Sequence, residues 1–250
     1  PLRGPRVRFH TVQIEDCRQL GVYTLLSYRW PGEGVEPGRF VMARAAGYPI
    51  TLDPFLARPF SFYDSVDGVA SILFEVRGRG TALLGMATRT IEVTAPLGRG
   101  FALGAPDGRA ALLGGGIGVA PLKILGRELA SRGVAHDVFL GFLDEKAAAV
   151  ADDFPGATVA TMDGSRGTHG TVLDAAPDLA SYPTVYACGP NAMLAAVKKA
   201  AGPEGLRQLS VEERMGCGNG SCNGCVVPVD EGYVRSCIEG PVFRAEVLAW

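Results

Sequence analysis

Ala110–Gly133, AALLGGGIGVAPLKILGRELASRG, reads as strand, turn and helix. Ala110 to Leu113 is a short apolar run of strand length, Gly114-Gly115-Gly116-Ile117-Gly118-Val119-Ala120-Pro121 follows, and LKILGRELASRG places apolar residues at helical spacing before closing on Gly133. A glycine turn between strand and helix lets phosphate oxygens approach the backbone. The stretch therefore opens a nucleotide-binding βα unit with Gly115, Gly116 and Gly118 as candidate contacts, although its spacing is not a strict GxGxxG. Beyond it, HDVFLGF, ATVATMDG and TVYACGP read as strands, and DEKAAAVADDF and NAMLAAVKKAA as helices. This alternation predicts a parallel sheet with ligands at the carboxyl ends of its strands. Those ends carry Asp144, Asp163 with Gly164 and Ser165, and Cys188-Gly189-Pro190-Asn191. Cys188 reads equally well as a buried packing thiol.

Upstream, from residue 6 to about 103, the pattern is of short strands broken by turn residues: VRFHTVQIED, VYTLLSYRW, RFVMARA, VASILFEVRGRG and TIEVTAPLG. Five or six such strands predict a small antiparallel barrel or sandwich. Two of its loops carry chemistry. Arg58-Pro59-Phe60-Ser61-Phe62 puts a fixed cation, a rigid turn, an apolar ring and a hydroxyl together, a set able to hold a flavin and its anionic edge, and equally an ordinary start of a barrel strand. Gly78-Arg79-Gly80-Thr81 precedes the helix-like TALLGMA, so its amides and hydroxyl could face a pyrophosphate or form a plain capping turn.

Downstream, ERMGCGNGSCNGCVVPVDEGYVRSC (213–237) holds four of the six cysteines, Cys217, Cys222, Cys225 and Cys237, as CxxxxCxxC, eleven residues and a last Cys. The first three repeat the opening spacing of plant-type 2Fe-2S ferredoxins. Gly216, Gly218, Gly220 and Gly224 suit a backbone that bends through positive φ and aims amides at sulfur. Structural zinc also takes four thiolates, usually through two CxxC-type knuckles, and only one such pair is present. A disulfide framework needs an oxidising compartment, and the opening residues PLRGPRVRFHTVQ contain no apolar signal region, so the expectation is a reducing cytoplasm.

A formal net charge of −2 gives no nucleic-acid footprint, and no apolar run approaches a membrane span. His10, His136 and His169 lie far apart without ligand spacing and are read as non-functional; Met193 and Met215 are read as core. The expected division is a β-barrel domain at 1–105, an α/β parallel-sheet nucleotide domain at 106–208 and a small cluster module at 209–250.

A barrel with RPFS and GRGT, then a nucleotide domain with GGGIGVAPL and CGPNAML, resembles the ferredoxin-NADP reductase superfamily. With ERMGCGNGSCNGC and CIEGPVF added, the chain from about Val7 to Phe243 resembles the electron-transfer subunits of NAD-linked dihydroorotate dehydrogenase. The resemblance implies FAD contacts at Arg58, Pro59, Phe60 and Ser61, at Leu73, Phe74 and Glu75, and at Gly80 and Thr81. It also implies a 2Fe-2S cluster on Cys217, Cys222, Cys225 and Cys237. A basic residue is expected where Glu75 stands, and Arg77, two residues on, is expected to substitute.

The function so implied is passage of electrons between NAD and an FMN-containing catalytic subunit that oxidises dihydroorotate to orotate in pyrimidine biosynthesis, the two subunits forming a heterotetramer. No acid–base pair suited to dihydroorotate stands in this chain, and no catalytic residue is assigned to it. NAD is favoured over NADP because Asp144 and Asp163 would welcome a ribose hydroxyl and repel a 2′-phosphate, with Arg166 weighing the other way. Two other functions compete: the small subunit of an NAD(P)H-ferredoxin oxidoreductase, sulfide dehydrogenase or hydrogenase complex, and a zinc-stabilised binding subunit.

Overall fold

The computed structural model describes residues 8–30, 32, 34–46, 55–103, 108–176 and 178–250. The first part is a closed antiparallel barrel of β1 (Phe9–Leu20), β2 (Tyr23–Arg29), β3 (Phe40–Ala45), β4 (Arg58–Val66), β5 (Val69–Glu75) and β6 (Thr90–Thr94), in the order β1-β2-β5-β4-β3-β6. Closure leaves no free strand edge. Its core is filled by inward residues such as Leu26, Tyr28, Phe62 and Ile72, all fully buried. One short helix, α1 (Arg79–Gly85), stands between β5 and β6, where a helical turn was expected around Thr81 to Met86.

The second part is a seven-stranded sheet. β7 (Ala110–Gly115) runs through a 3-10 turn at Gly116–Val119 into α2 (Ala120–Ser131). β8 (His136–Phe142), β9 (Thr158–Thr161), β10 (Thr168–His169), α3 (Val172–Ala175), β11 (Thr184–Gly189), α4 (Asn191–Ala201) and β12 (Leu206–Val211) follow. The order is β10-β9-β8-β7-β11-β12-β15, where β15 (Val242–Arg244) comes from the C-terminal segment and alone runs antiparallel to its neighbour. The chain winds outward from β7 on one side and returns to β7's other side at β11, so the topological switch point lies between these two strands. The sequence-predicted nucleotide loop and the Cys188-Gly189-Pro190 corner both open at that point.

The C-terminal module contributes a hairpin of β13 (Val226–Val229) and β14 (Gly232–Arg235) and the short helix α5 (Ser236–Glu239). The limit expected at 208/209 falls inside β12, and β15 returns to the same sheet, so the module is rooted in the nucleotide sheet at both ends. The limit expected at 105/106 lies outside the described residues, as do Val7 and parts of the PGEGVEPG and GAPDGR breaks.

Three readings change. Arg58 to Phe62, taken as a loop, lies in β4, with Phe60 paired opposite Val41 and Phe62 opposite Ile72. The expected helix DEKAAAVADDF is a 3-10 segment, Ala147–Asp153, whose Ala148 carbonyl accepts Arg166 Nη1 at 2.9 Å instead of continuing an α ladder. β12, half polar as LRQLSV, is not among the strands expected from the sequence and is recognised from the structure.

Barrel and sheet share one apolar core in which Tyr23, Leu25, Tyr63 and Leu73 pack with Leu112, Leu122 and Leu125. Tyr63 Oη donates to Asp153 at 2.7 Å, and Arg127 on α2 bonds Asp64 and the Ser65 carbonyl. These ties fix β4 against the helix that follows the glycine loop.

Candidate functional site

A cleft opens where the three parts meet. Pro59, Phe60 and Ser61 of β4 and Leu73, Phe74 and Glu75 of β5 line one wall. Ile117 and Ala120 from the glycine turn, with Glu212, Glu213 and Met215 from the stretch after β12, line the other. Six sequence-predicted residues are thereby brought together on one surface. The Phe60 and Phe74 rings pack in a tilted arrangement with centroids 5.5 Å apart, mostly beneath that surface, and stiffen the wall.

The remaining barrel residues form the cleft's cationic shoulder. Arg58 lies over Gly80, where a Cβ would stand 2.2 Å from the guanidinium carbon and push that flexible side chain aside. Arg58 also donates to the Leu56 carbonyl. Thr81 accepts the amides of Arg77 and Gly78 at 3.0 and 3.2 Å and donates to the Gly78 carbonyl, so its hydroxyl holds the turn together. β5 ends at Glu75, and Arg77, beyond the strand, folds back to pair with it at 2.7 Å. Arg77 thus stands beside Glu75 with its charge paired to that carboxylate. An apolar wall with a hydroxyl and an arginine shoulder suits a flavin dinucleotide's ring and phosphates.

At the switch point the glycines serve close packing. A Cβ on Gly118 would lie 2.4 Å from the Cys188 carbonyl oxygen, and one on Gly115 2.4 Å from the Met193 sulfur. Gly116 takes φ +56° and faces the Tyr23 hydroxyl. Cys188 is fully buried, its thiol pushed well up by burial first and by Glu212 next; its Sγ lies 3.9 Å from Glu212 Oε1. Gly189 packs on Met193 and Gly115, while Pro190 stands exposed ahead of α4.

In the cysteine loop the four thiols fall into two pairs. The Cys222 amide donates to Cys217 Sγ at 3.4 Å, and the Cys237 amide to Cys225 Sγ at 3.5 Å. Gly224 N–H points at Cys222 Sγ at 3.4 Å, and this amide first, then the amide and thiol of Cys217, hold the Cys222 thiol down at about 7. Cys237, closed in with Cys225, is pushed up to about 12, chiefly by burial. Among the described residues no three acidic, histidine or cysteine side chains close around one point as ligands of a single ion. Two pairs of thiols fit a two-iron cluster, in which each iron takes two. Of the interleaved glycines only Gly218 and Gly220 use positive φ, at +68° and +78°; Gly216 and Gly224 leave room against Cys222 Sγ. Arg235 bonds the Gly220 carbonyl and Glu239, bracing the loop.

The sequence profile of the iron-sulfur cluster binding domain of dihydroorotate dehydrogenase B matches residues 212–249. The dihydroorotate dehydrogenase B (NAD(+)) electron transfer subunit of Geobacillus kaustophilus is 43% identical over 233 residues, covering 88% of this chain and 89% of its own. That of Listeria monocytogenes is 41% identical over 226 residues, covering 85% and 87%. The chain belongs to this family. Among solved structures, an NADH-dependent reduced ferredoxin-NADP oxidoreductase superposes with a TM-score of 0.83 at 25% identity, covering 100% of this chain and 92% of that one. Phthalate dioxygenase reductase superposes with a TM-score of 0.65 at 17% identity, covering 89% and 87%, and shares the fold.

For this family member, sequence reasoning overlooked Glu212 and Tyr23. Glu212 directly follows β12 and faces the cleft; protein crowds it on its other sides and raises its carboxyl, with Arg77 opposing. It is nevertheless open to water through the cleft mouth, which limits that shift. Tyr23 is pushed up to about 12 by burial and by Glu75. Glu212 follows the half-polar LRQLSV in the sequence, and no local pattern marks it.

Proposed function

We propose that the chain is the electron-transfer subunit that passes reducing equivalents between NAD and an FMN-containing dihydroorotate dehydrogenase catalytic subunit, in a cytoplasmic heterotetramer serving pyrimidine biosynthesis. The observation that carries this reading is the single cleft joining the β4–β5 wall, the glycine turn and the stretch leading into the cysteine loop. A flavin exchanges hydride with a nicotinamide and single electrons with an iron-sulfur cluster, which is why a chain linking the two needs all three sites adjacent.

In this assignment Pro59, Phe60, Ser61, Leu73 and Phe74 hold the flavin ring of FAD, and Arg58 with Gly80 and Thr81 frames its phosphates. The turn at Gly115, Gly116 and Gly118, with Cys188, Gly189 and Pro190, seats the nicotinamide end of NAD. Cys217, Cys222, Cys225 and Cys237 hold the 2Fe-2S cluster. The three working parts are the barrel, the sheet and the cysteine module. Phe55 and Leu56 ahead of β4, with Val226 and Tyr233 of the hairpin, are exposed apolar side chains near the thiol loop, suited to docking a partner there. No helix is long and apolar enough to cross a membrane among the described residues.

Anaerobic titration of the purified chain with NADH, then NADPH, tests the reading: flavin and cluster bands both bleach with NADH. A colourless, zinc-containing protein would sink it in favour of a zinc-stabilised binding subunit. The full-length superposition on the ferredoxin-NADP oxidoreductase favours, as second reading, the small subunit of such a complex. Copurification separates the two, since only the first retains a dihydroorotate-oxidising flavoprotein.

A further inference from the structure

The turns after β8 and β9 are stitched into one platform. The Met162 amide donates to the Phe142 carbonyl at 3.0 Å, the Asp163 amide to the Leu143 carbonyl at 3.3 Å, and the Glu145 amide to Ser165 Oγ at 2.7 Å. On this platform two large apolar side chains stand in solvent, Leu143 at 73% and Met162 at 52% exposure, an arrangement the barrel and cysteine sites do not use. Beside them the Asp163 carboxylate accepts both the Ser165 hydroxyl, at 2.6 Å, and its amide, which hold it ionised. The platform lies at the carboxyl ends of parallel strands next to the switch point, where a dinucleotide's far half would rest.

Arg166 is the one cation in the 162–167 turn and would favour a 2′-phosphate if it faced the platform. It is held elsewhere. Its Nη2 bonds Asp152 Oδ1 at 2.6 Å, its Nη1 the Ala148 carbonyl at 2.9 Å, and its backbone is latched on both sides by Thr161 Oγ1 at 3.0 Å. Lys146, in the neighbouring turn, is preceded by Asp144 and Glu145.

We propose that Asp152 is a specificity-determining positioning residue: by clamping Arg166 onto the 147–153 segment, it keeps a cation off the platform, which then accepts adenosine with a free 2′-hydroxyl and rejects a 2′-phosphate. This rests on the nucleotide reading of the sheet. Freeing Arg166 leaves the platform's apolar pair intact while adding a charge partner for phosphate, so selectivity shifts without loss of the base contact. Asp152 is largely solvent-exposed, so its replacement spares the fold.

The test is calorimetric titration of the purified full chain with AMP and with adenosine 2′,5′-bisphosphate, independent of flavin or cluster turnover. Wild type binds AMP in preference. In Asp152→Ala, and in Asp152→Asn as the size-matched control, the preference moves toward the bisphosphate by roughly tenfold, the size of one added charge-assisted contact. The double variant Asp152→Ala with Arg166→Ala returns to the wild-type ratio. If both ligands bind and the ratio is the same in all variants, the clamp is overturned while the nucleotide site stands. If neither ligand binds wild type or variants, the nucleotide reading itself falls, and the clamp with it.

Discussion

Two glycine-rich loops frame the cleft, and glycine does different work in each. In the turn after β7 the glycines disappear into packing: Gly118 lies against the Cys188 carbonyl and Gly115 against Met193. In the cysteine loop Gly216 and Gly224 leave Cys222 Sγ accessible to backbone amides, and Gly218 and Gly220 take the left-handed turns between ligands. The first loop is a site made of backbone, whose exact neighbours decide its shape. The second is a site made of side chains, whose residue types declare it.

The contrast breaks most sharply at the thiols. Cys222→Ser removes one ligand of a two-pair set and is expected to abolish cluster absorption in anaerobically purified protein while FAD stays bound. Unchanged cluster bands would remove Cys222 from the ligand set. The flavin band is the internal control, because the β4–β5 wall contains none of the four cysteines.

Glycine-to-alanine changes compare the loops directly. Gly118→Ala drives a methyl into backbone at 2.4 Å and is expected to lower unfolding stability by roughly 2–3 kcal/mol, read as a shifted urea midpoint at unchanged slope. Gly224→Ala meets only Cys222 Sγ at 3.5 Å, ordinary contact distance, and should shift the midpoint little. Equal effects at the two positions would mean that both loops are held by packing. At the barrel shoulder a smaller effect is expected: Arg58→Ala should weaken FAD retention by about tenfold on gel filtration at low flavin, the size of one charge-assisted contact. A variant that keeps FAD as wild type does would place the phosphates elsewhere.

Legibility in the sequence follows the same division. Side-chain chemistry announces itself: the thiol spacing, RPFS and GRGT could be read because residue type is the signal. The barrel could be read from alternation, except that β4 was taken for a loop, since Arg-Pro at its start imitates a turn and its pairing with β3 and β5 is long-range. β12 went unread because LRQLSV is half polar; Arg207 and Gln208 are buried only by virtue of bonds to Ala201, Tyr182 and Ala102 carbonyls. The hidden partnerships, Arg77 with Glu75, Arg166 with Asp152 and Arg58 over Gly80, depend on where long side chains fold back, which no local pattern encodes.

Glu212 stands between the two loops, touching Cys188 behind the glycine turn and leading into the cysteine segment, so it sharpens the comparison with the smallest effect. Its carboxyl is raised by burial, with Arg77 and Cys188 opposing. A carboxyl raised in the folded state binds its proton more tightly there than in the unfolded chain. The stability it allows is therefore full below the unfolded carboxyl value, about 4.3, and declines as pH rises through the folded value. Gln cannot ionise and escapes that decline. Glu212→Gln should match wild type in melting temperature near pH 4 and exceed it increasingly toward pH 7, with the gap kept modest because the cleft mouth admits water. A variant that matches wild type near pH 4 and instead falls increasingly below it toward pH 7 would show that Arg77 outweighs burial and that the carboxylate is a held charge in the cleft.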